Sequence, residues 1–242
     1  MTVSQKIEKQ ISQIPEGRVF GYRDMMLESD EYGAATKSLG RLVEAGQLKR
    51  ATKGVYYKPQ QTIFGTILPQ DEELLKRYLF KNGQRIAYIT GLGLYNTMGL
   101  TTQFPFIVTL ASKARRANLV VIGNIKIKPV RSYADVTNDN YVLLEILDAL
   151  KDFRIIPDID RQSATKLLTA KLQTLTSKQT EGLIKYALNY PPRVCAFLGA
   201  MLEMIDNSLN LNELRTKINP LSKYKMGITT NILPNALKWN LT

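Results

Sequence analysis

Gly46-Gln47-Leu48-Lys49-Arg50-Ala51-Thr52-Lys53-Gly54-Val55-Tyr56-Tyr57-Lys58-Pro59 is where the texture of the chain changes from helical to extended. Gly46 supplies a left-handed helix stop. Residues 47–51 and 55–58 are short strand-like runs. Thr52-Lys53-Gly54 joins them as a tight hairpin connection, and Pro59 ends the second strand because it cannot donate to a ladder. The hairpin is basic, with Lys49, Arg50, Lys53 and Lys58 interleaved with Tyr56 and Tyr57.

Upstream, Val3, Ile7, Ile11 and Ile14 recur at helical spacing, which predicts a helix over residues 2–14 that Pro15-Glu16-Gly17 ends. Val19-Phe20 reads as a short extended piece, and Tyr22 to Leu27 as a second, short helix. Ser29 and Asp30 offer caps for a third helix that runs to about Glu44. Three helices followed by a basic hairpin is the order of a winged helix-turn-helix. This reading assigns residues 1–60 to a DNA-binding domain and residues 61–242 to a larger mixed domain, an α+β protein overall.

With Leu39 at the centre of the buried face of the third helix and about 100° per residue, Ala35, Leu42 and Val43 fall near it. Lys37 and Arg41 fall nearly opposite, beside Gly33, Ala34, Gly40 and Glu44. Small neighbours let such a face sink into a major groove. Arg41 is placed to fork onto a guanine, Lys37 to reach a phosphate or base, and Ser38, on the flank, to reach a phosphate. Gly40 costs about 1 kcal/mol of helix propensity, which close approach to DNA or to a neighbouring helix would account for. The expected DNA contacts are Lys37, Ser38, Arg41, Lys49, Arg50, Lys53, Tyr56 and Lys58.

The 242 residues carry 33 Lys and Arg against 21 Asp and Glu, a formal net charge of +12. Such an excess favours polyanionic partners, because each neutralised phosphate releases counterions. Residues 1–60 hold ten basic and seven acidic residues, so most of the excess lies beyond them. There is no histidine, the usual general base at neutral pH and commonest nitrogen metal ligand. The single cysteine, Cys195, lies in an apolar run and reads as a small core residue. No catalytic residues, metal site or cofactor are expected. Without an apolar run long enough to span a bilayer or a signal-like N-terminus, the chain is expected in the cytoplasm and away from membranes.

In the second domain, residues 59–72 read as a connection of mixed composition. A helix is expected from Asp71 to Phe80, a strand over 86–89, and a helix capped by Thr90 through Met98. Strands follow over 106–110, 119–122 and 125–130, and helices near 139–151, 160–174, 177–189 and 192–206. The tail from Asn219 is expected to pack as irregular chain. Gly91-Leu92-Gly93 invites a dinucleotide-binding reading, but position 96, where a third glycine belongs, is Asn96. No GxxxxGK[ST] segment is present. Asp158 and Asp160 suit a helix start. Lys113, Arg115 and Arg116 form a cationic cluster able to meet nucleic acid or a protein partner.

The wing segment Gly46–Arg50 and Lys53–Pro59 resembles that of AbiEi-type antitoxins, the abortive-infection regulators of type IV toxin–antitoxin systems. So do Tyr88-Ile89-Thr90-Gly91-Leu92-Gly93-Leu94-Tyr95-Asn96 and Gly99-Leu100-Thr101-Thr102-Gln103. The late stretches Tyr190–Val194, Leu198-Gly199-Ala200 and Asn219–Lys225 match as well. The resemblance spans nearly the whole chain. It implies a winged helix that binds inverted repeats at its own promoter and represses it, and a second domain that counters a nucleotidyltransferase-like toxin without a stable complex. It places the wing cations at Lys49, Arg50, Lys53 and Lys58 and the recognition face at Lys37 and Arg41, and implies no catalytic residues. Two alternatives stay open: a winged-helix scaffold for protein partners, and a nucleic-acid enzyme with a winged-helix targeting module.

Overall fold

The computed structural model describes residues 2–63, 65–114 and 118–242. It is a mixed α+β chain in two compact units, residues 1–78 with 120–126, and residues 79–119 with 127–242. The first unit therefore runs beyond the expected boundary at residue 60. The reason is that the segment after Pro59 has partners within it: Arg77 pairs with Asp24 at 2.6 Å, and Leu74 packs against Gly123.

The first unit opens with α1 (Val3–Ser12), started by a reciprocal cap between Thr2 and Gln5. Then come β1 (Val19–Gly21) and a single 3-10 turn at Tyr22–Asp24. A helix over 22–27 does not form. Asp24 accepts the Gly21 amide at 2.7 Å and the Arg77 guanidinium, and Met25 turns extended to bury its side chain. Next are α2 (Tyr32–Glu44), β2 (Lys49–Thr52) and β3 (Val55–Tyr57). Neither Ser29 nor Asp30 caps α2. Glu31 occupies the cap position without a side-chain cap, its carboxylate instead accepting from Lys6 and from the Glu28 amide, both at 2.8 Å. Gly46 and Gly54 both take positive φ, at 72° and 73°.

The three strands order as β1-β3-β2, both pairings antiparallel. Ile7 and Ile11 of α1, Ala35 and Leu39 of α2, and Phe20, Met25, Leu48 and Tyr56 form the core of this unit. Where an irregular connection was expected, β4 (Gln60–Thr62) and β5 (Gly65–Ile67) pair as a hairpin; neither run carries the apolar alternation that marks a strand. α3 (Asp71–Leu79) follows, with Asp71, Glu72 and Glu73 in its first turn, where acidic side chains suit the helix dipole.

The second unit continues with the two-residue strands β6 (Phe80–Lys81) and β7 (Gln84–Arg85), then β8 (Ala87–Thr90), α4 (Leu92–Thr97) and β9 (Val108–Ser112). β11 (Ile125–Arg131) runs parallel to β9, which pairs antiparallel with β8, while β10 (Val120–Ile122) falls in the first unit. Ile125 and Ile127 are buried while Lys126 and Lys128 are exposed, as the alternation predicts. Then come α5 (Tyr141–Asp152), α6 (Arg161–Gln173), α7 (Ser177–Ala187), α8 (Pro192–Ile205) and the short α9 (Asn212–Thr216), which sequence reading missed. α8 is the central helix, with every residue from Val194 to Leu202 buried. Cys195 is fully buried, and burial pushes its thiol up to about 11.

The tail, expected to be irregular, forms a 3-10 turn at Ala236–Trp239 and is not loose. Trp239, 1% exposed, packs on α8 and donates its indole N–H to Glu203 at 2.8 Å. Asn235, Lys238 and Arg215 also donate to that carboxylate. Burial alone would raise the Glu203 carboxyl. The hydrogen bonds from Lys238, Trp239 and Asn235 outweigh it and bring it from 4.5 to about 2. A depressed carboxyl stabilises the fold fully above its unfolded value and loses that stabilisation as pH falls toward its folded value. Glu203→Gln should therefore cost about 2–3 kcal/mol at neutral pH. Urea unfolding followed by tryptophan emission should show the gap between the two chains closing as pH falls from 4.5 to about 2. A pH-independent gap would dismiss the ionic origin.

Candidate nucleic-acid interface

α2 buries Ala35 and Leu39 against α1 and leaves Gly33, Ala34, Lys37, Arg41 and Glu44 exposed on its far side. The helical wheel thus holds. A Cβ built on Gly33 or Gly40 meets nothing within 4 Å among the described residues. No neighbouring helix accounts for Gly40, so its propensity cost has no return within the described fold.

Two expected contacts are corrected. Ser38 is 3% exposed, its hydroxyl 3.0 Å from that of Ser4 on α1; it joins the two helices and cannot reach a phosphate. Tyr56 is 2% exposed. Its ring lies against Phe20 and edge-on to Tyr22, and its hydroxyl is 3.2 Å from that of Tyr22. Burial is the main cause that raises this phenol. The interleaved aromatics turn inward because both faces of the central strand β3 are covered, Tyr56 by the helical core and Tyr57 beside Leu68, Pro69 and Leu74.

The cations fare differently. Lys49, Arg50 and Lys53 are exposed along the β2–β3 hairpin, with Lys58 half-buried after it. Arg50 lies 5.6 Å from the Tyr56 ring centroid and donates to its hydroxyl at 3.4 Å, which steadies it along the strand. Among the described residues no carboxylate ion-pairs with Lys37, Arg41, Lys49, Arg50, Lys53 or Lys58. Two basic surfaces, one helical and one on a hairpin, are joined in sequence through Ala45–Leu48.

In the second unit, Lys113 is exposed after β9, while Arg115 and Arg116 lie outside the described residues. The Tyr88–Asn96 stretch is a structural frame. Tyr88 and Thr90 donate to the buried Asp148 at 2.9 and 2.6 Å, and Tyr95 donates to Asp152 at 2.6 Å. Thr90 does not cap α4, because its hydroxyl is spent on Asp148. Gly91 stands at the cap instead, at φ 68°, where a Cβ would lie 3.2 Å from Thr109. Asp160 caps α6 through the Gln162 amide, and Asp158 accepts from Gln103. Among the described residues no three His, Cys, Asp or Glu are grouped to hold a metal ion, and no helix is long and apolar enough to cross a membrane.

Among solved structures the chain is similar to the crystal structure of the RV2827C protein from Mycobacterium tuberculosis. The TM-score is 0.51 at 10% identity, over 93% of this chain and 85% of that one. At that identity the likeness concerns the fold alone. No curated protein matches the chain. Residues 6–181 match the family described as a family of unknown function (DUF6088), and the chain belongs to that family.

Proposed function

We propose that the first unit is a winged helix-turn-helix that binds double-stranded DNA, and that the chain is a cytoplasmic autorepressor and antitoxin countering a nucleotidyltransferase-like toxin. One observation carries the DNA half: the outward face of α2 sets Lys37 and Arg41 among Gly33, Ala34 and Gly40, with open space over both glycines. A helix gains nothing internally from such glycines, whereas one that enters a major groove gains close backbone approach while its cations reach base edges and phosphates. The order α1-β1-turn-α2-β2-β3, with β1 paired to the return strand β3, supports the winged-helix assignment. Lys49, Arg50 and Lys53 suit a wing that tracks the backbone. The antitoxin half rests on the resemblance of the central and late segments to AbiEi-type antitoxins.

Titration of the full chain against its own upstream DNA tests the first half. Lys37→Ala/Arg41→Ala should weaken specific binding at least tenfold, since a forked arginine–guanine contact alone is worth about 1–3 kcal/mol. Gly40→Ala should raise thermal stability and yet weaken binding. Equal affinity for a scrambled duplex, or affinity that does not fall with salt, would reject the repressor reading and favour a protein-interaction role. Co-expression with the adjacent toxin tests the second half separately: the double variant should still rescue growth.

A further inference from the structure

The second unit holds a cavity of about 440 Å3 between the C-terminal end of α5, the first turn of α8 and the tail segment Lys223–Met226. That volume is of the size of small-molecule sites. Its lining presents Lys151, Arg154, Arg193, Lys223 and Lys225 against a single carboxylate, Asp152. We propose that this cavity binds the phosphate groups of a nucleotide-sized ligand, a nucleoside di- or triphosphate.

The charges are not equivalent. Lys151 is already paired with Asp148 at 3.2 Å and Asp152 at 3.4 Å, and Asp152 also accepts the Tyr95 hydroxyl. Lys151 is thus matched by its own carboxylates, one cation against two, and is not free for a ligand. Arg193 donates its Nε to the Lys151 carbonyl at 3.4 Å, which orients its guanidinium while its terminal nitrogens meet no carboxylate. Arg154, Lys223 and Lys225 are exposed, and among the described residues none has an acidic partner. Tyr224 is pinned through its amide to Asn240 at 2.7 Å and through its carbonyl to the Thr242 amide at 3.0 Å. Lys223 and Lys225, its two neighbours, both line the cavity and are thus presented on a fixed backbone.

Four cations without acidic partners exceed what one carboxylate ligand would need and match a short run of phosphates, which arginine forks and lysine point charges bind well. A partly enclosed wall strengthens those contacts relative to open surface. Ile155, 68% exposed, and Tyr224 offer an apolar edge for a base or sugar.

The phosphates come from a free nucleotide or from a nucleic-acid strand, and calorimetry on the full chain separates the two. The probes are inorganic tripolyphosphate, ATP and a short single-stranded RNA, at low and high salt. The comparison chain carries Arg154→Gln/Lys223→Gln/Lys225→Gln, three exposed positions, with its fold checked by tryptophan emission. Tripolyphosphate and ATP should each bind once per chain, roughly tenfold or more weaker in the triple variant. Lys37→Ala/Arg41→Ala should leave that binding unchanged, which keeps it distinct from the DNA reading. Binding of RNA without either small anion, no binding of any probe, or equal binding by the triple variant would overturn the proposal.

Discussion

Gly199→Ala should unfold the second unit at a denaturant concentration far below that of the parent chain. A Cβ at position 199 would stand well inside van der Waals contact of two ring carbons of Trp239. Neither side has room to yield. Gly199 sits on the central helix α8, whose residues from Val194 to Leu202 are all buried. The indole is held by its N–H bond to Glu203, with Arg215 over its ring at 4.1 Å. Overpacking costs about 1–3 kcal/mol when neighbours can shift. Here the ring must leave its site and forfeit the Glu203 bond, so about 4 kcal/mol is expected. Trp239 is the only tryptophan, so its emission reads the event directly: a red shift in native buffer and an earlier urea midpoint. An unchanged emission maximum with an unchanged midpoint would show that α8 and the tail do not pack this closely in solution.

The second large effect is expected at Asp148, 2% exposed on α5. Its carboxylate accepts from Tyr88, Thr90 and Lys151 at 2.9, 2.6 and 3.2 Å. Burial pushes the Tyr88, Tyr95 and Tyr190 phenols up, which keeps them as donors. Asp148→Ala would remove the charged acceptor from two buried hydroxyls and leave Lys151 with Asp152 as its only ion-pair partner among the described residues. Removing one partner from a buried, hydrogen-bonded charge costs about 3–5 kcal/mol. Asp148→Asn keeps an acceptor oxygen and loses only the charge, so it should fall between the alanine variant and the parent chain. Chemical denaturation ranks the three, and amide exchange along β8 should quicken in the same order. An alanine variant as stable as the parent would mean that the frame around Tyr88–Tyr95 is held by packing alone.

Local features of the chain were legible wherever chemistry and spacing coincide within a few residues. The apolar stripe of α1, the left-handed stop at Gly46, the Gly54 turn and the outward placement of Lys37 and Arg41 all follow from periodicity and glycine conformational freedom. The four long helices from α5 to α8 were legible for the same reason. The sequence by itself also limited the chemistry: no histidine and one apolar-flanked cysteine remove the usual general base at neutral pH, the commonest nitrogen metal ligand and a Cys-rich zinc site.

Tertiary structure decided what depends on partners distant along the chain. Ser38 and Tyr56 resemble surface contacts in sequence, yet Ser4 and Tyr22, each 34 residues away, claim their hydroxyls. Thr90 resembles a helix cap until Asp148, 58 residues on, takes its hydroxyl. The segment Tyr22–Leu27 has ordinary helical composition but is stopped by an Arg77–Asp24 pair across 53 residues. The cavity cations are scattered from Lys151 to Lys225 and share no spacing that periodicity can detect. Helical and strand periods report which face a residue takes on its own element, whereas only the packing of elements determines what that face meets.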